Sequence, residues 1–158
     1  MDKDGHFGFS LLIYFSFVYL LNLVSRYVLI IGLLAAALSS LPDIDVRLRI
    51  KHRGVTHSIL TGLILGIPFG YLTYNILDDF YMGFLSVSLA FLFHILGDLL
   101  TIRSFYPIYP LADLNIALGL FRSDNRLVNK GFLASGSIMF IIYAYRLWGL
   151  DILSLIFR

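Results

Sequence analysis

The sequence predicts an all-α, polytopic membrane protein with about five transmembrane helices and a metal site at its cytoplasmic face. Three observations predict it. The 158 residues are 59% hydrophobic and only 14% charged, against about 25% charged in a soluble domain, and mean hydropathy is +0.86. The apolar residues fall into long continuous runs without two-residue alternation, which favours helices over a β-barrel in lipid. The metal-type side chains gather in a few short polar patches, where polar groups at the edge of lipid are costly unless they pair or bind something. The length suits one domain, residues 1–158.

The runs are roughly 7–24, 28–42, 59–77, 82–102 and 131–149. Four approach the ~20 residues that cross a bilayer. The second is shorter, and Ser25-Arg26 separates it only weakly from the first, so the two read as a tight helical hairpin. The first run is longer than a signal-peptide core, and no small-residue cleavage site follows it, so it reads as a retained helix. Residues 103–130, with Pro107, Pro110, Asp113, Asn115, Asp124 and Asn125, read as a loop with amphipathic or re-entrant pieces folded over the metal-facing side.

Basic residues orient these spans. With five spans and the N-terminus inside, nine of the twelve bases fall on one face: Lys3, Arg47, Arg49, Lys51, Arg53, Arg103, Arg122, Arg126 and Lys130. The positive-inside rule makes that face cytoplasmic. The same topology brings His6, Asp43, Asp45, His52, His57, His94 and Asp98 to that face.

Each patch has a chemistry and a plainer alternative. His94 and Asp98, four apart on a helix, share one face as two ligands of an ion would, or satisfy each other by a hydrogen bond. Asp43 and Asp45 follow Pro42, and in extended geometry both carboxylates point one way; alternatively they mark a solvated helix end. His52 and His57 flank Arg53-Gly54 in a turn, with Thr56 or Ser58 able to N-cap the next helix; alternatively this basic loop meets anionic lipid. Arg53 offers a bidentate fork for a phosphate or a developing oxyanion. His6 follows Gly5, whose missing side chain permits close backbone approach, or is simply an interface residue.

Four imidazoles and three carboxylates suit zinc, or manganese or iron, better than magnesium or calcium. They exceed one tetrahedral shell, so one or more divalent ions are expected. The chain has no cysteine and no glutamate, which excludes thiol chemistry, Cys-type zinc sites and any HExxH protease. Nucleic acid is not an expected partner, because bases spread over loops at a lipid surface have a simpler use.

Gly5-His6, Leu41-Pro42-Asp43-Ile44-Asp45, His52-Arg53-Gly54-Val55-Thr56-His57-Ser58 and His94-Ile95-Leu96-Gly97-Asp98-Leu99-Leu100-Thr101 together resemble the YdjM-like family of membrane-bound, metal-dependent hydrolases, also called LexA-binding inner-membrane hydrolases. The resemblance implies a small helical membrane protein that hydrolyses a phosphoester, phospholipid-like and amphiphilic, through a metal-activated water. His6, Asp43, Asp45, His52, His57, His94 and Asp98 would hold metal, with zinc first. Asp43 or Asp45 would take a proton, and Arg53 would hold the anionic substrate. Family members often carry a glutamate near the region matching Asn125 to Asn129; here either Asp124 or another aspartate replaces it, or one metal position is lost. Two rival readings remain. One is a non-catalytic membrane protein whose structural metal helps dock a cytosolic partner; the other is a metal or proton transporter, which needs ligands nearer the bilayer centre.

Overall fold

A computed structural model describes residues 1–45 and 55–156, with side chains through residue 149. It is all-helical: α1 (Lys3–Leu20), α2 (Arg26–Leu38), α3 (Ile59–Leu77), α4 (Phe80–Leu99) and α5 (Arg126–Ile156), with short 3-10 turns at Leu41–Asp43 and Val55–His57. Among the described residues there is no strand, only isolated bridges between Thr101 and Phe121 and between Phe105 and Ile116.

The helices begin where side chains can satisfy their first free N–H groups. Asp2 accepts from Gly5 N at 2.8 Å, Ser25 from Val28 N at 3.2 Å, Ser58 from Thr61 N at 3.2 Å and Asp79 from Met82 N at 3.0 Å. Ser58, rather than Thr56, therefore caps α3. Asn125 Oδ1 accepts from Leu127 N at 3.1 Å and Val128 N at 3.2 Å. This cap explains why α5 starts at Arg126, ahead of the apolar run that marked it in the sequence.

Four segments are long and apolar enough to cross a membrane: Arg26–Asp43, Ile59–Leu77, Phe80–Leu99 and Arg126–Gly149. Helix α1 opens with Lys3, Asp4 and His6, which lowers its mean hydropathy. Even so it is not peripheral, since it packs along α5 and against α2 and α4. The core lies where α1, α2, α4 and α5 meet, around Leu11, Phe15, Ile31, Ala35, Phe93 and Tyr143.

Helix α3 packs along α4 differently. Its buried residues are Gly62, Gly66 and Gly70, one every fourth position. A Cβ at Gly62 would run into the Phe91 side chain, and one at Gly70 into the Phe80 ring. The glycines let the two backbones close up as small residues do in lipid. The rest of α3 turns large apolar side chains outward, Ile64 and Ile76 among them, as a lipid-facing helix requires.

Residues 100–125 return over one end of the bundle. Ile59 N donates to the Pro107 carbonyl at 3.0 Å, tying this segment to the start of α3. The Phe105 side chain is fully buried and lies edge-on to the His57 ring, 6.4 Å between centroids.

Candidate metal centre

The end of the bundle beneath that segment gathers polar residues from four elements. His6 comes from the first turns of α1, Asp43 from the 3-10 turn after α2, His57 from the turn before α3, and His94 and Asp98 from the last turns of α4. His57 Nε2 lies 3.4 Å from Asp43 Oδ1 and 3.8 Å from Asp98 Oδ2. His94 Nε2 lies 3.7 Å from Asp43 Oδ1 and 3.8 Å from Asp98 Oδ2. His6 Nε2 lies 3.4 Å from the other Asp98 oxygen, Oδ1, and its ring stacks on His94 at 3.8 Å between centroids. Around a tetrahedral ion with bonds of about 2.0–2.1 Å, neighbouring ligand atoms stand about 3.3–3.4 Å apart. These separations are at that value or slightly above it.

Two sets of side chains, Asp43–His57–His94 and His6–His94–Asp98, could each hold an ion. They share His94, and Asp98 turns one oxygen toward each.

The environment of His94 shows what kind of group could sit there. Its Nδ1 lies 2.7 Å from the Ser39 carbonyl oxygen. A carbonyl only accepts, so Nδ1 carries a proton, and in the neutral ring Nε2 presents a lone pair. Nε2 is buried without a hydrogen-bond partner, and it faces two carboxylates. A lone pair and two anionic oxygens converging in a buried space repel one another unless a cation stands among them. A backbone carbonyl fixing the far nitrogen is also the usual support of a metal-binding histidine. The Met1 nitrogen lies 2.7 Å from Asp98 Oδ1 and 3.0 Å from His6 Nε2. Nitrogen and oxygen donors in this mixture fit a borderline divalent ion.

Asp43 and Asp45 were expected in extended geometry, pointing one way. Pro42 instead lies in the 3-10 turn Leu41–Asp43, a position where its missing N–H costs nothing, and the backbone continues in helical geometry through Ile44 and Asp45. The two carboxylates therefore diverge around His57. Asp43 faces Nε2. Asp45, fully buried, has Oδ2 at 3.4 Å from His57 Nδ1 and accepts from the Thr56 hydroxyl at 2.7 Å. His52 and Arg53 lie outside the described residues. Asp124 does not join the cradle. It is 69% exposed and pairs with Arg122 at 3.0 Å, whose guanidinium holds its carboxyl below the usual carboxylate range.

Two glycines make the approach of α1 possible. A Cβ at Gly97 would stand 3.2 Å from His6 Nδ1 and closer still to Met1. A Cβ at Gly5 would collide with the Asn129 amide, so the close approach that Gly5 suggested is made to α5. The sequence reading missed Asn129. It is buried, donates from Nδ2 to the Ser123 carbonyl at 3.0 Å, and keeps Oδ1 without a hydrogen-bond partner. A polar residue near the start of an apolar run was the available signal.

A search of curated proteins and a search of solved structures each found no match. A family model described as YdjM inner membrane protein matches residues 1–153, nearly the whole chain, and this protein therefore belongs to the YdjM inner membrane protein family.

Proposed function

We propose that this protein is a membrane-bound, divalent-metal-dependent hydrolase of phosphoesters, with zinc as its first metal. All five helices cross the bilayer in this reading, and the N-terminus and the site face the cytoplasm. The observation that carries it is the buried, unpartnered His94 Nε2 facing Asp43 and Asp98. When bound, a divalent ion supplies Lewis acidity toward a phosphoryl oxygen and toward water. His6, His57, His94 and Asp98 hold it. Asp45 acts through His57, fixing the ring from its Nδ1 side. Asp43 is 26% exposed while the others are 2% or less, so it is the group placed to meet an incoming water and take its proton. Arg53 binds the anionic substrate. The bases counted along the sequence support the orientation.

The near-complete burial of His6, His57, His94 and Asp98 favours a second reading, a structural metal in a protein that docks a cytosolic partner. A closed shell suits structure, and an accessible position suits catalysis; the exposure of Asp43 favours the first. Elemental analysis of purified protein, paired with a panel of phosphoesters, separates the two. The hydrolase reading expects bound metal and turnover, with both lost in His57→Ala and Asp98→Asn. Full activity in metal-free protein would sink it. Tightly held metal with no turnover across the panel selects the structural reading.

A further inference from the structure

Asp43 has a second neighbourhood. It closes one end of a cleft of about 480 Å³ between the first turns of α1 and the last turns of α2, within the size range of small-molecule sites. Its lining is of two kinds: apolar at Phe7, Ala36, Ala37 and Leu41, and charged at Lys3, Asp4 and Asp43. Since Asp43 is the exposed member of the described cradle, this cleft is where an outside molecule meets it. Ala36 and Ala37 sit in the last turns of a segment apolar enough to span the membrane, and Lys3 and Asp4 sit in the first turn of α1.

We propose that this cleft binds a lipid-like amphiphile with a phosphodiester head, its chain against Phe7, Ala36 and Ala37 and its phosphate between Lys3 and Asp43. The assignment rests on the metal reading of the site: Asp43 repels a phosphate unless a cation held by His57 and His94 stands between them. Lys3 supplies the positive charge of the cleft itself. Asp4, the other charge at the mouth, opposes a doubly charged monoester and so favours a head of low net charge. The small side chains at Ala36 and Ala37 give the chain its room.

The chain contains no cysteine, so Ala37→Cys places a single thiol in the cleft wall. The test follows maleimide modification of that thiol in full-length, metal-loaded protein in maltoside micelles, with metal content measured on the same samples. Dodecylphosphocholine is expected to slow modification several-fold, glycerophosphocholine and dodecanol to leave it unchanged, and added Lys3→Gln to raise the half-protecting concentration about tenfold, the effect of one lost charge-assisted contact. Ala37→Trp, which fills the cleft, is expected to abolish turnover of a phosphodiester amphiphile while metal content stays stoichiometric. Equal protection by dodecanol, or protection indifferent to Lys3→Gln, overturns the head assignment. Metal-loaded protein without protection overturns the cleft and leaves the metal reading standing. Protein that takes up no metal removes both.

Discussion

The two ends of this bundle use polar residues in opposite ways. At the end away from the cradle, polar groups close on one another. The Tyr143 hydroxyl donates to the Leu23 carbonyl at 2.9 Å and accepts from Ser25 N at 3.1 Å. Arg146 reaches the Asn22 side chain and lies over the Tyr19 ring at 4.7 Å. Tyr27 donates to Asp79 at 3.2 Å, and Asp79 also caps α4. These groups fasten the turn between α1 and α2 to α5, and the start of α2 to the start of α4. At the other end His6 Nδ1, His94 Nε2 and Asn129 Oδ1 are buried without hydrogen-bond partners, while aspartates converge beside the imidazoles. In a medium that penalises every unmet polar group, the closed end is explained by folding alone. The open end keeps the unmet groups that the proposed metal would satisfy.

Four tests, using five substitutions, break or sharpen that contrast. The largest effect is expected from His94→Ala or Asp98→Asn. Each removes a group shared by the two candidate positions, so metal affinity should fall by more than the ~10–100-fold typical of losing an outer partner, as read by metal titration. Retained stoichiometric metal in both would end the claim that the open end is a metal site.

Asp45→Asn comes next. If Asp45 holds the His57 ring from behind, affinity falls about 10–100-fold and metal still loads at high concentration. A loss as complete as that in Asp98→Asn would make Asp45 a direct ligand.

Gly66→Ile tests the fold away from either end. A Cβ there stands 2.6 Å from Ser88 Oγ and 3.0 Å from Phe84, so α3 and α4 must separate. Overpacking of this kind costs about 1–3 kcal/mol, seen as a lowered unfolding temperature. An unchanged temperature would mean that the glycine contact is not the seam between these helices.

Tyr143→Phe is the smallest. It deletes the hydroxyl that fastens the turn between α1 and α2, at about 1 kcal/mol, with metal content unchanged. A fall in metal binding would show that the two ends are coupled rather than separate.

Hydropathy made the helices legible because lipid demands long apolar segments, and the runs at 59–77 and 82–102 nearly coincide with α3 and α4. Helix α5 was read late because its first turn carries Arg126 and Lys130, which belong to the interface. The spacing of His94 and Asp98 was legible as one helical face, and the order of the spans was enough to bring His6, Asp43 and His57 to the same end. The divergence of Asp43 and Asp45 was not legible. Pro42 is compatible with an extended segment and with the start of a tight turn, and only the packing of that turn against α4 and Val55–His57 selects one. The Ser39 carbonyl that fixes His94 was beyond reach for another reason: every residue has a carbonyl, and none is marked in sequence. The α3 glycines at every fourth position were a signal present but unread.

By itself the sequence determined that this chain is a helical membrane protein, which residue types could bind an ion, and that they share one end. Each of those follows from composition, helical period and alternation of spans, all local or additive properties. The tertiary structure alone decided which nitrogen of His94 faces inward, which side of His57 each aspartate occupies, and that Asp43 is the member left open to a cleft. These depend on where backbones from different helices meet, and no single segment carries that information.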